Sequence, residues 1–117
     1  MGVDFNGRLV IAEIKTGGRR VMPGTVEFDL SGYLAQMVWQ MHVIGAEECV
    51  YAFELRGGQG TAADPFTAGE VEFAWIDRLD HVRLCRELIA IADDFLAALD
   101  AAAAEPFTEP EVDEELD

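Results

Sequence analysis

The chain has 117 residues, half of them hydrophobic, and a formal charge of -15. That content suits one small domain with a single core and excludes a chain disordered throughout. No apolar run approaches the roughly 20 residues that cross a bilayer, so no membrane partner is expected. The opening Met-Gly-Val-Asp does not read as a signal peptide or an acylation signal. The charge is uneven. Residues 1–57 carry five basic and seven acidic side chains, and residues 58–117 carry three basic and sixteen acidic ones. The sum argues against broad nonspecific affinity for DNA, yet most of the acid lies in the second half.

Asn6-Gly7 is a strong two-residue hairpin signal. It predicts a strand over residues 2–5 folded back on a second over 8–15. Leu9-Val-Ile-Ala-Glu-Ile-Lys-Thr16 reads as a buried strand, rich in β-formers, with two polar residues set into it. Residues two apart in a strand share a face. Glu13 and Lys15 therefore project side by side, and Ile14 is expected to point the other way into a core. A carboxylate beside an ammonium is costly to bury unless the two are used or paired. One use is metal-assisted phosphodiester hydrolysis, in which the carboxylate holds a divalent cation and the lysine serves the attacking water or the developing charge. The commoner reading of Glu-x-Lys is a solvated ion pair. Asp4 is expected across the hairpin from the second strand, where it could share a metal with Glu13.

Thr16–Gly24 reads as a loop with paired glycines and Pro-Gly. Arg19 and Arg20 stand in it, where a phosphate backbone would pass. Val26–Asp29 is expected to be a short extended piece. A helix follows from Leu30, capped by Asp29 or Ser31 and ended by Gly45. Tyr33, Gln36 and Gln40 step along one of its faces. Glu48–Arg56 reads as a strand buried on much of both faces. Gly57–Pro65 is an exposed turn. In Gly69–Asp77, Val71, Phe73 and Trp75 alternate with Glu70, Glu72 and Ala74, and the glutamate side is expected to be the wet one. Asp77 or Asp80 then caps a helix to about Ala104, whose stripe, including Phe95, Leu96 and Leu99, is expected in the core. Residues 105–117, acidic and proline-bearing, read as a disordered tail. Cys49 and Cys85, with no Cys-x-x-Cys, are expected to be buried reduced thiols. His42 and His81 lack partners at metal-ligand spacing.

Asp4, then Glu13-x-Lys15, then a helix bearing Tyr33-x-x-Gln36, Trp39-Gln40-Met41 and Gly45-Ala46, resembles the viral-recombinase branch of the PD-(D/E)XK nucleases, the phage lambda exonuclease type. The stretch from Ile76 to Phe95 is similar to the family's closing strand and helix. The resemblance covers roughly residues 2 to 100. It implies catalytic roles for Asp4, Glu13, Lys15, Gln36 and Tyr33, with Mg²⁺ or Mn²⁺ between Asp4, Glu13 and the carbonyl of Ile14. Lys15 and Gln36 would orient the nucleophilic water, and Tyr33 would line the site. The family pattern has a helix and a strand before the Asp, whereas three residues precede Asp4 here.

The fold expected is α/β (α+β), with a restriction-endonuclease-like core in residues 1–104. It would have a mixed central sheet of about four strands flanked by two helices, without the usual first helix. The function expected is a metal-dependent DNA exonuclease of phage recombination type, cytoplasmic in a phage or bacterial host. DNA would be its partner, with a homo-oligomer or a partner protein completing the fold. The competing expectation is a non-catalytic nuclease-fold subunit, or an acidic interaction or inhibitor protein.

Overall fold

The chain reverses near Asn6-Gly7, with Gly7 at φ 76°, but a two-residue turn there would set Val3 opposite Val10, and the register observed is one residue off it. In the computed structural model, which describes residues 2–3 and 6–105, strand β1 (Gly2–Val3) pairs antiparallel with β2 (Leu9–Gly17), Val3 opposite Leu9. A crossover then carries two helices, α1 (Val26–Ser31) and α2 (Tyr33–Ile44), before β3 (Glu48–Leu55) returns parallel to β2. β4 (Val71–Asp77) pairs antiparallel with β3, and the sheet order is β1-β2-β3-β4. A 3₁₀ turn, Arg78–His81, leads into α3 (Val82–Ala104). The described residues are thus mixed α/β, with a four-stranded mixed sheet and three α-helices rather than the two expected.

Val26–Asp29, expected to be extended, is helical because of the residue before it. The Thr25 hydroxyl accepts a hydrogen bond from the Phe28 amide at 3.2 Å and donates one to the Met22 carbonyl at 2.7 Å, forming a side-chain N-cap. Gly32, at φ 76°, separates α1 from α2 in a conformation that only glycine adopts without strain. Ser31, expected to cap the helix, is instead the last residue of α1; its hydroxyl accepts from the Tyr33 amide at 3.0 Å, and Gly32 takes the N-cap position of α2 with no side-chain cap. Gly45, at φ 82°, closes α2, and the amides of Gly45 and Ala46 both donate to the Met41 carbonyl at 2.9 Å. Asp77 accepts from the Leu79 amide at 2.9 Å and so starts the last helical segment, as expected.

The core lies on one side of the sheet. Ile11, Cys49, Tyr51, Phe53 and Ile76 face Phe28, Met37, Val38, Met41 and Cys85 from the helices. Both cysteines are buried and free. The other face is open, which overturns two expectations. Ile14 is 71 % exposed instead of buried. Phe73 and Trp75 are 66 % and 64 % exposed, while Glu72, Ala74 and Ile76 take the helix side of β4. The period of two is as read, but the helices cover the opposite face of β4. A shallow apolar depression of about 340 Å³, lined by residues including Ala12, Val50 and Trp75, marks the open face. A third correction concerns α3. Cys85 is buried, but Phe95, Leu96 and Leu99 are each more than half exposed, because the helix outruns its neighbour.

Candidate functional site

β2 supplies the centre of the candidate site. The alternation of the strand puts Glu13 and Lys15 on the helix-covered face, where their side chains are only 16 % and 24 % exposed. Lys15 Nζ stands 3.2 Å from Glu13 Oε1. On β3, Tyr51 pairs with Glu13 and Phe53 with Lys15, so two buried aromatic residues stand beside the pair. Tyr33, the first residue of α2, completes the arrangement: the Lys15 ammonium lies 4.7 Å from its ring centroid. An ammonium over an aromatic face is attracted by the ring quadrupole, and more strongly when partly desolvated.

Tyr51 holds this cluster from below. It is fully buried, donates to the Val21 carbonyl at 2.7 Å and packs edge-on to Phe28 at 5.6 Å and tilted to Tyr33 at 6.2 Å. Burial pushes its phenol up to about 12, with Tyr33 and the Glu13 carboxylate adding to the effect. Cys49, next to Glu13 on the same face, has its thiol raised to about 11, chiefly by burial and then by the Glu13 charge. Both groups therefore stay protonated at neutral pH, and among the described residues Glu13 and Lys15 form the ion pair of this cluster.

The structure brings Glu13, Lys15 and Tyr33 together. Gln36, one turn further along α2, is exposed. The Ile14 side chain points to the open face, away from Glu13, Lys15 and Tyr33. Asp4 lies outside the described residues. The nearest described register, Val3 opposite Leu9, stands four residues before Glu13, or about 13 Å along a strand. The described residues contain no group of three or more His, Cys, Asp or Glu arranged to hold a metal ion. Glu13 and a carbonyl are a partial donor set for a hard cation, which takes six or more oxygens.

Of the two arginines expected to face a phosphate backbone, Arg19 is exposed. Arg20 is engaged with Glu72 of β4 by two hydrogen bonds of 2.7 and 2.9 Å. These bonds raise the arginine's pKa and lower that of Glu72. Sequence reading missed this pairing and the role of Tyr51, because each joins residues 30 or more apart in the chain. It also missed Arg8, which contacts Glu47 and Glu48 at 2.6 Å and Asp77 at 3.3 Å, tying the start of β2 to the start of β3 and the end of β4. The signals the sequence did carry were the alternation around Glu13 and Lys15 and the placement of Tyr33 at the start of the helix.

Comparison with protein-family models, characterised proteins and solved structures finds no match to this chain. Among the described residues, no helix is long and apolar enough to cross a membrane.

Proposed function

We propose that the chain carries the hydrolytic centre of a metal-dependent nuclease that acts on the ends of duplex DNA, of the PD-(D/E)XK type it resembles. The observation that carries the reading is the placement of Glu13 and Lys15, adjacent and half-buried, against the Tyr33 ring. A solvated ion pair needs neither shelter nor an aromatic wall. In this reading Glu13 and the Ile14 carbonyl would hold Mg²⁺ or Mn²⁺, with Asp4, outside the described residues, as the further ligand that the resemblance implies. The cation, when bound, activates water and neutralises phosphate charge. Lys15 donates to the water or to a non-bridging phosphoryl oxygen, where its charge acts with little screening because aromatic side chains exclude solvent. Tyr33 fixes the direction of the ammonium. Gln36 orients the nucleophile from the exposed side of α2, and Arg19 meets the DNA backbone beside the site.

The test is digestion of linear and circular duplex DNA by the purified chain with Mg²⁺ or Mn²⁺, beside Lys15→Ala. The expected result is digestion of the linear form, reduced on the order of a hundredfold in the variant, the effect of removing one transition-state donor. Equal digestion by both proteins would take Lys15 out of the mechanism. A second reading, a non-catalytic nuclease-fold subunit or acidic interaction protein, draws on the engagement of Arg20 by Glu72 and on the charge of -15. No metal-dependent digestion of any DNA form by the wild-type chain would favour it.

A further inference from the structure

α3 is longer than the body it packs on. Its 23 residues span about 34 Å, against about 18 Å for the 12 residues of α2. The apolar pattern does not stop where the packing does. Cys85, Ala92 and Leu99 recur every seven residues, as do Leu88 and Phe95, which is the period of a helix that packs on another helix. Leu84, Leu88 and Ile89 use this face against the chain's own core. Beyond them Ile91, Phe95, Leu96 and Leu99 are 52 to 65 % exposed. Together with Trp39 of α2, residues Leu88, Ile91, Ala92 and Phe95 line an almost wholly apolar groove of about 310 Å³.

The charges along this region choose the occupant and its direction. Arg78, Arg83 and Arg86, opposed by Asp80 and Glu87, stand at the start of α3, whereas Asp93, Asp94, Asp100 and Glu105 follow with no basic residue among them. A second α3 laid parallel would set acid on acid. Laid antiparallel, it sets the acidic end of each copy beside the basic start of the other and opposes the two helix dipoles favourably. A register that places Ile91 across from Ala92 also sets Leu88 against Phe95 and Leu84 against Leu99.

We propose that the α3 groove binds a second copy of this chain, with antiparallel α3 helices and Phe95 of each copy seated between Trp39 and Leu88 of the other. This inference does not depend on the nuclease reading. The exposed parts of Trp39, Ile91, Phe95, Leu96 and Leu99 come to roughly 500 Å² per copy, at about 200 Å² for a fully exposed large side chain. The total of about 1,000 Å² lies below the roughly 1,200 Å² at which stable interfaces begin, so the dimer is a weak one that dissociates on dilution.

Sedimentation of the full chain from about 1 to 500 µM tests it. The wild type is expected to pass from monomer to dimer, and Phe95→Asp to weaken association at least tenfold. Phe73→Asp, on the open sheet face, is expected to leave it unchanged. Both positions are about two-thirds exposed, so both variants should fold, which circular dichroism checks. Orientation is read by oxidative cross-linking, with Ala92→Cys expected to link two copies and Ala103→Cys not. A wild type monomeric at 500 µM, a Phe95→Asp that associates normally, dimerisation lost in Phe73→Asp instead, or efficient linking through Ala103→Cys would each overturn the proposal.

Discussion

Two phenylalanines on neighbouring strands test the one-sided architecture. Phe53 of β3 is 1 % exposed and packs with the helices; Phe73 of β4, opposite Ala52, is 66 % exposed on the other face. Phe53→Ala deletes a buried ring and leaves a cavity among Tyr51, the helices and the stem of Lys15, a change that costs about 3–5 kcal/mol. Phe73→Ala removes a ring of which only a third is covered. At about 25 cal/mol per Å² and about 200 Å² for the ring, that third is worth roughly 1.5–2 kcal/mol. The expected difference of about 2 kcal/mol corresponds to a melting-temperature gap on the order of 10 °C for a domain of this size. The assay is urea unfolding at low micromolar concentration, followed by the fluorescence of Trp39 and Trp75, with the m-value checked for two-state behaviour. Equal losses for the two variants would refute the reasoning, since they would mean that the β4 face is as well covered in solution as the helix face.

Tyr51→Phe keeps the ring but orphans the Val21 carbonyl, and is expected to cost about 1–3 kcal/mol in the same assay. It should also loosen Tyr33 and Lys15, seen as a changed Tyr33 ring shift in NMR. Thr25→Ala removes the α1 cap and should cost about 1 kcal/mol, with Thr25→Ser recovering most of it. Stability should fall at alkaline pH. Cys49 and Tyr51 hold their protons more tightly folded than unfolded, from 9.0 to about 11 and from 10.0 to about 12. Their contribution is complete below pH 9 and is lost as pH rises through 11 to 12, because the unfolded chain releases those protons first. A melting temperature flat from pH 8.5 to 11.5 in Tyr51→Phe and wild type alike would contradict this.

Several parts of the molecule were legible because their causes are local. The end of α2 at Gly45 and the start of the last helical segment at Asp77 each follow from the chemistry of one or two residues, whereas Asn6-Gly7 announced the reversal of the chain but not its register. The period of two along β2 sufficed to put Glu13 and Lys15 on a common face. The long apolar period of α3 announced a helix to Ala104. The Thr25 cap is a local signal as well, and it makes α1 helical where Val26–Asp29 by itself reads as extended.

What the tertiary structure decided is which of two chemically plausible faces is covered. Alternation states that Val71, Phe73 and Trp75 share a side; it cannot state that α2 packs on the other one. The strands of a sheet take their inside from the helices that land on them, and here those lie on the face of Tyr51 and Ile76. The same long-range event makes the candidate site. Lys15 meets the Tyr33 ring only because the crossover through α1, bent at Gly32, brings the start of α2 over β2. Arg20 finds Glu72 because β4 closes the sheet beside β3, 52 residues later in the chain. A helical period, finally, says where an apolar stripe runs and nothing of how far the neighbour extends, so Phe95 and Leu99 read as core and stand exposed.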